Sequence, residues 1–557
     1  ISHSQLSKVS KSGHLSEDNE MLQGIPCRDV VSWNMLISRY TSQNGLSGRA
    51  FECFNRMQSA EGISPNPITF VCILKACAGS GLINVCKRMH LWVIWSGFLA
   101  KHIVLGTALV DMYVKCSMMD DAEEVFHRLT ERNVVTWSAL IGGYARLGLG
   151  DIALKYFRLM KDEGNTPNVV TFTCALKACG SIGSLKLGED IHAEVKDQGL
   201  LESDIMLGNT LVDMYVKCRE LEKAEDVFVE LPWRNVYSWS ILITGYVDGG
   251  LSNAALRCFR QMRSEGIFPN AVTFSCVLKA CGTIGLIRIG EEIHAEVNEH
   301  VLMKVDTIVG TALVDMYAKC GVLEKAHEVL KGIPERDAVC WSALIAGYAQ
   351  HGQTNEALEC FLQMRGEGIA PNAVTFSCIL KACGNGGGNA KKLQELHVDI
   401  TKQGFEKDTF IQNALVDVYG RFGLLLDARN LFDEVSDRDV VTWNALISGY
   451  IEHGHHEEAL NLSSYMYDEG ILPNASSYIL SLKACCHLEN QQKGQEIHIQ
   501  IANKEQLEED NSLGTSLIDM YMKHGAFEEA CHVFYEQKVR TVVSWTLLIA
   551  GYAEQGF

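Results

Sequence analysis

Apolar side chains recur along this chain at helical spacing, in runs that stop and restart every dozen residues or so. In Val134–Asn168, Trp137, Leu140 and Tyr144 fall three and four residues apart, and Leu154, Phe157 and Met160 repeat the spacing further on. Such spacing places each set on one face of a helix. Gly148 separates the two sets, and Gly164 followed by Pro167 supplies a left-handed cap and a stop. The segment therefore reads as two helices of at most about four turns. Helices that short are marginal alone, so their apolar faces must stack on neighbours.

The neighbours carry the same design. Val169–Asp204 contains TFTCALKACG and then GEDIHAEV, and Ile205–Asn235 contains GNTLVDMYVKC and then AEDVF; each reads as another helix pair. The three motifs have 35, 36 and 31 residues, and the set restarts at Val236, Ala338 and Val440. An earlier, slightly longer version starts at Val30. Trp33, Trp137, Trp239, Trp341, Trp443 and Trp545 mark the period, which after the first interval is 102 residues every time. Motifs that cannot bury their own faces, repeated at a fixed period, predict an all-α fold: an α-solenoid superhelix of stacked two-helix repeats. Five triplets span 30–133, 134–235, 236–337, 338–439 and 440–541, fifteen motifs in all. Residues 1–29 read as the tail of a degenerate short motif, and 542–557 as the start of another 35-residue one. Both ends cut through a repeat without the polar caps of a solenoid, so the expectation is the middle of a longer protein.

Composition narrows the class. The chain is 47% hydrophobic and 21% charged, with nine prolines. No apolar run approaches the ~18 residues of a membrane helix, so no membrane partner is expected. The first residues, ISHSQLSKVSKSG, contain no apolar signal core, and no targeting peptide is expected within this chain. The twenty cysteines sit at repeated positions, such as Cys179, Cys281 and Cys383 in KAC and Cys116, Cys218 and Cys320 in Y-x-K-C. Small buried thiols in a reducing compartment explain them better than disulfides. The net charge of −19 opposes nucleic-acid binding, since phosphate contacts need Lys and Arg. Many of the acids cluster as DDAEEVF, EKAEDVF and EEAL at the starts of second helices, where they favour the helix dipole.

Hairpins of this length also occur in tetratricopeptide proteins, but the residues fit a relative better. The pattern VVTWNALISGY…EALNL…M-x-x-EGILPN at 440–474, followed in strict rotation by long and short variants, resembles the pentatricopeptide repeat family. It is similar to the land-plant subclass in which ordinary, long and short motifs alternate. Departures are local: a two-residue excess within Val30–Asn66, SMMD at 117–120 where other copies have Gly or Arg-Glu, and a poor first motif. The resemblance implies a right-handed superhelix whose first helices line a groove for single-stranded RNA, not DNA, with one base per repeat. It implies a mitochondrial or chloroplast location and no cofactor. It also implies that the chain positions a transcript for C-to-U editing by an enzyme absent from this chain, with a deaminase or editing factor as partner in trans.

In that family the fifth and last residues of a motif choose the base, and the second wedges between bases. Carried over, the pairs are Asn34 with Asn66, Thr107 with Asn133, Ser138 with Asn168, Asn209 with Asn235, and Ser240 with Asn270. They continue as Thr311 with Asp337, Ser342 with Asn372, Asn413 with Asp439, Asn444 with Asn474, and Thr515 with Thr541. Asn, Ser and Thr each both donate and accept hydrogen bonds, as reading a base edge requires. The wedges are Val31, Val104, Val135, Val339 and Val441. The long motifs place Val71, Thr173, Ser275, Ser377 and Ile479 at the fifth position, and two of these cannot hydrogen-bond, so they are poorer readers. The family's pairing rules give the 5′-to-3′ order pyrimidine, gap, A, A, gap, pyrimidine, A, gap, G, A, gap, U, pyrimidine, with long motifs as gaps and no assignment for Thr515 with Thr541. Asn and Asp before a helix are equally the favoured N-caps, so the last residues have a purely structural explanation as well.

Members of the subclass often end in a zinc deaminase domain with H-x-E and P-C-x-x-C motifs. His192-Ala193-Glu194 and His294-Ala295-Glu296 match the first motif, but the same histidine recurs as His90, His397 and His498 without the glutamate, and C-x-x-C is absent. No enzymatic activity and no deaminase domain are expected. The rival to RNA binding is a protein-binding scaffold of tetratricopeptide type, or a gene fragment without function. The acidic balance favours the rival, and carboxylates lining the first-helix face would decide for it.

Overall fold

The structure, a computed structural model, describes residues 29–42, 47–59, 62–80, 83–99, 102–299, 306–385, 390–488, 490–502, 511–537, 539–554 and 556. The partial motif read over 1–29 lies, apart from Asp29, outside them. Every regular element among the described residues is an α-helix. The chain divides into two compact units, Ile1–Thr273 and Phe274–Phe557, and each is a solenoid of stacked helix pairs.

The stretch 134–235 illustrates the build. Its helices are Val134–Arg146, Gly150–Asp162, Val169–Ile182, Leu185–Asp197, Ile205–Lys217 and Leu221–Glu230. Gly148 and Gly164 turn the chain at φ 76° and 79°, a left-handed conformation that glycine adopts without a Cβ clash. The 31-residue motif is short because its second helix has 10 residues where the others have 13. Within a unit, first helices pack against their own second helices and against the first helices of adjacent motifs, as Val169–Ile182 does against Leu185–Asp197, Val134–Arg146 and Ile205–Lys217, so there they form one layer. They approach closely: a Cβ on Gly143 would meet Val114 at 2.7 Å.

The marker tryptophans seal the junctions. Trp137 is buried, with the Phe126 ring edge-on at 4.7 Å. The Arg132 guanidinium lies over Phe126 at 4.8 Å, donates to its carbonyl at 3.1 Å and pairs with Glu163 at 2.9 Å. The device recurs with Phe228, Trp239, Arg234 and Glu265, and with Phe432, Trp443, Arg438 and Glu469. A planar cation that stacks and forks at once suits this place better than lysine. All nineteen described cysteines are free thiols.

The SMMD departure has a physical cost. Gly321, Gly423 and Gly525 turn at positive φ after the first helix of their 31-residue motifs, but Ser117 and Arg219 hold the same turn at 58° and 63°.

Candidate nucleic-acid interface

The polar row begins with helix capping. Asn133, Asn168 and Asp439 sit in extended backbone one residue before a helix, and a side-chain oxygen of each accepts the N–H of Thr136, Thr171 and Thr442 at 2.8–2.9 Å. The hydroxyl of the same threonine bonds that oxygen at 2.8–2.9 Å. Asn66, Asn235, Asn270, Asp337, Asn372, Asn474 and Thr541 cap their helices in the same way. The capping role anticipated for these residues is real.

The fifth residue of the preceding motif lands on the same hydroxyl. Ser138 meets Thr171, Ser240 meets Thr273 and Ser342 meets Thr375, each at 2.7 Å, and Thr107 meets Thr136 at 2.7 Å. Thr69 donates to Asn34, and Thr442 to Asn413, at 2.6 Å. Asn34 donates onward to Asn66 at 3.0 Å, Asn413 to Asp439 at 3.3 Å and Asn444 to Asn474 at 3.3 Å. Thr311 meets the Cys340 thiol at 2.8 Å, and Thr515 meets Ser544 at 3.4 Å. Asn209 faces the same junction with its Oδ1 buried and without a partner among the described residues. Residues about thirty apart in sequence thus converge on a third side chain that sequence reasoning missed. Its signal was available: Ser or Thr three residues after Asn or Asp is the pattern of a reciprocal cap.

Two features differ from the sequence expectation. The fifth residues are not free to both donate and accept. Asn34, Ser138, Asn209, Ser240, Ser342 and Asn413 are only 4–8% exposed. Ser138, Ser240 and Ser342 already donate to the carbonyls of Val134, Val236 and Ala338 at 2.6–2.7 Å, because helical hydroxyls reach back four residues. The outward-facing chemistry therefore belongs to the last residue. A cap requires an acceptor facing the helix, so each Asn turns its Oδ1 inward and leaves its NH₂ without a bond among the described residues. Asp337 and Asp439 leave a carboxylate oxygen there instead. For Asp439, burial alone would raise the pKa, but the Thr442 amide and hydroxyl and the Asn413 amide outweigh it and hold the group below the ordinary carboxylate value. Asn thus offers a donor and Asp an acceptor.

Second, the apolar row is fuller than a search for valine suggests. Val31, Val104, Val135, Val339 and Val441 are 54–67% exposed. Ile68, Val170, Met206, Tyr237, Val272, Ile308, Val374 and Phe410 stand at the second position of eight further motifs and are also exposed. Ser476 and Ser512 hold this position in the remaining two motifs. An exposed apolar side chain at one fixed position in thirteen of fifteen motifs has no packing rationale.

The 36-residue motifs lack the polar junction. The third residue of the motif after them is Leu105, Leu207, Val309, Ile411 or Leu513, each fully buried, so no hydroxyl awaits the fifth residue. Among the described residues, the Thr173 hydroxyl donates to the Val169 carbonyl on its own helix at 2.8 Å and to nothing else.

The repeated histidines are clamps. Nδ1 of His90, His192, His294, His397 and His498 lies 2.8–3.1 Å from the hydroxyl of Tyr113, Tyr215, Tyr317, Tyr419 and Tyr521. Burial lowers the pKa of all five histidines. Glu194, the acid of one H-x-E, is paired with Lys161 at 2.7 Å. No group of three or more His, Cys, Asp or Glu able to hold a metal occurs among the described residues. None of their helices is long and apolar enough to cross a membrane.

Charge divides between the layers. On the described first helices, Asp111, Asp213, Asp315, Asp417 and Asp519 each pair with a base one turn on, and the other acids are Asp248, Glu452 and Glu554. Bases outnumber acids on these helices, so the chain's acidic surplus lies elsewhere.

Similarity to known proteins agrees with this construction. The family described as PPR repeat family matches residues 28–79, 132–181, 234–283, 336–385 and 438–487. A second, described as PPR repeat, matches 107–134, 209–236, 311–337, 413–440 and 515–536. A mitochondrial pentatricopeptide repeat-containing protein of Arabidopsis thaliana is 32% identical over 597 residues, covering 95% of this chain and 57% of that protein. A chloroplastic one from the same plant is 33% identical over 520 residues, covering 93% of this chain and 83% of its own length. The chain spans only 57% of each of the first two relatives. Among solved structures, the maize pentatricopeptide repeat protein PPR10 shares the fold, with a TM-score of 0.57 at 19% identity over 96% of this chain and 81% of that one. The same protein in complex with an 18-nt psaJ RNA element aligns with a TM-score of 0.53 at 17% identity, covering 100% and 92%.

Proposed function

Because the chain belongs to the pentatricopeptide repeat family, we propose that it binds single-stranded RNA and reads its sequence through the polar pairs of the first-helix layer. The observation that carries this reading is the fixed outward atom of each pair. At the pairing edge, the ring nitrogen of adenine or cytosine is an acceptor, whereas that of guanine or uracil carries a proton. An outward Asn amide therefore suits adenine and cytosine, and an outward Asp oxygen suits guanine and uracil. The buried fifth residue adds size selection: Ser or Thr leaves room for a purine, and the longer Asn for a pyrimidine. The exposed apolar residue at the second position of most motifs separates adjacent bases. The order is then pyrimidine, gap, A, A, gap, pyrimidine, A, gap, G, A, gap, U, pyrimidine. That a maize protein of this fold was crystallised with an RNA element supports RNA as the ligand.

The finer assignments rest on the same reading. The chain is fifteen motifs in five ordinary-long-short triplets, bounded at 30, 134, 236, 338, 440 and 541, with partial motifs before and after. Relatives carrying mitochondrial and chloroplastic designations support an organellar transcript as target. The chain positions that transcript for C-to-U editing, and the chemistry belongs to an enzyme outside this chain, a deaminase or editing factor in trans.

Selection from a random single-stranded RNA pool tests the reading. Enrichment of the stated order, with unspecified nucleotides at the gaps, supports it. Recovery of RNA with no common order contradicts it and leaves a protein-binding scaffold as the account.

A further inference from the structure

The base-reading arrangement skips the 36-residue motifs, yet the first helix of each carries a lysine at one fixed position. Their ninth residues are Lys75, Lys177, Lys279, Lys381 and Lys483, and all five are exposed. The ninth residue lies seven after the second, close to two full helical turns, so these lysines share the face that carries exposed Ile68, Val170, Val272 and Val374.

The other two motif types treat the ninth position differently. In the 31-residue motifs it is Asp111, Asp213, Asp315, Asp417 or Asp519, each bonded at 2.6–3.0 Å to the basic residue four positions on. Those helices satisfy their own charge. In the 35-residue motifs it is small and uncharged, as at Ser38, Gly142, Thr244, Ala346 and Ser448. Lys75, Lys177, Lys381 and Lys483 make no ion pair among the described residues. In four of the five triplets the period therefore places an exposed lysine that makes no ion pair among the described residues, and neither core packing nor pairing along the helix accounts for it.

We propose that the 36-residue motifs hold the RNA backbone, each lysine contacting a phosphate, while the other two motifs of the triplet read bases. This rests on the RNA reading above. An ammonium is a donor-only point charge that carries no sequence information but suits a phosphate. With one nucleotide per motif, the row supplies one backbone contact for every three nucleotides. It also reconciles a chain of net charge −19 with a polyanionic ligand, because the compensating cations stand where the ligand lies.

The test uses the full chain with K75Q, K177Q, K381Q and K483Q combined, and circular dichroism to confirm that these exposed changes leave the fold intact. Affinity for RNA of the stated base order and for a scrambled RNA is measured from 50 to 200 mM KCl. Each phosphate contact contributes about 0.7 to the log–log salt slope for single strands, so the quadruple variant is expected to be about 2.8 shallower, or about 2.6-fold per lysine over that range. The ratio of matched to scrambled affinity should stay unchanged. A variant with K115Q, K217Q, K319Q and K523Q, whose lysines are already paired, should lose much less slope. An unchanged slope in the first variant, an equal loss in the second, or a lost matched-to-scrambled ratio overturns the proposal while RNA binding stands. Absence of RNA binding by the unsubstituted chain overturns the functional reading itself.

Discussion

Replacing Asp439 by Asn should exchange the base read at the Asn413 junction while leaving the fold in place. Oδ1 of Asp439 accepts from the Thr442 amide and hydroxyl at 2.8 Å and from Asn413 at 3.3 Å. An Asn carbonyl oxygen can keep all three bonds, and Asn and Asp are equivalent N-caps, so stability should change by no more than about 0.5 kcal/mol. The change falls on the outward atom, where a carboxylate oxygen becomes an NH₂. Against uracil this removes a hydrogen bond to a charged acceptor, about 1.5–3 kcal/mol, or roughly 10- to 150-fold in affinity. Against cytosine it creates a neutral bond of about 0.5–1.5 kcal/mol, a gain of roughly 2- to 10-fold. Loss of one negative charge strengthens binding to both RNAs alike, so the ratio is the readout. Fluorescence anisotropy with two RNAs differing only at that nucleotide measures it, and thermal melting checks the cap. The reasoning is refuted if the uracil-to-cytosine ratio stays put.

Other positions give independent checks. Thr171→Val removes a buried hydroxyl that bonds Ser138 and Asn168; it should cost about 1–3 kcal/mol by urea unfolding, whereas Thr171→Ser should cost much less, and equal losses would dismiss the junction. Ser117→Gly and Arg219→Gly relieve left-handed backbone; with about 1–2 kcal/mol of strain offset by about 0.5–1 kcal/mol of glycine entropy, each should stabilise by roughly 0.5–1 kcal/mol, and a lower melting temperature would contradict this. The five clamp histidines have folded pKa values lowered by burial. The unfolded chain therefore takes up protons first, and stability should fall as pH drops below about 6.5, well before the carboxylates titrate. His192→Gln and His294→Gln, which can still bond Tyr215 and Tyr317, should flatten that dependence; a urea midpoint constant from pH 7.5 to 5.5 in the unsubstituted chain would exclude it.

The helices and their capping residues were legible because both are local: a 3.6-residue apolar spacing and an Asn or Asp before it need no tertiary information. The 102-residue period carried the architecture for the same reason. What escaped is set by how neighbouring first helices meet. Burial of Ser138 and the hydroxyl of Thr171 become connected only when the helices starting at Val134 and Val169 stack. Tyr237 and Phe410 were missed because the second position was read by residue identity, although the requirement it meets is an apolar surface facing solvent. The histidines looked like half of a zinc motif because their tyrosine partners lie 22 or 23 residues away on the next motif.

The central claim, that this solenoid reads RNA sequence, is tested most directly by equilibrium binding of the unsubstituted chain to one fluorescent single-stranded RNA of the stated order and to a scramble of equal composition. The measurement belongs across a salt series, since phosphate contacts alone bind any RNA at low salt. The account predicts tighter binding to the ordered RNA, with the preference persisting as salt rises. Equal, weak binding to both, vanishing together with salt, would contradict it.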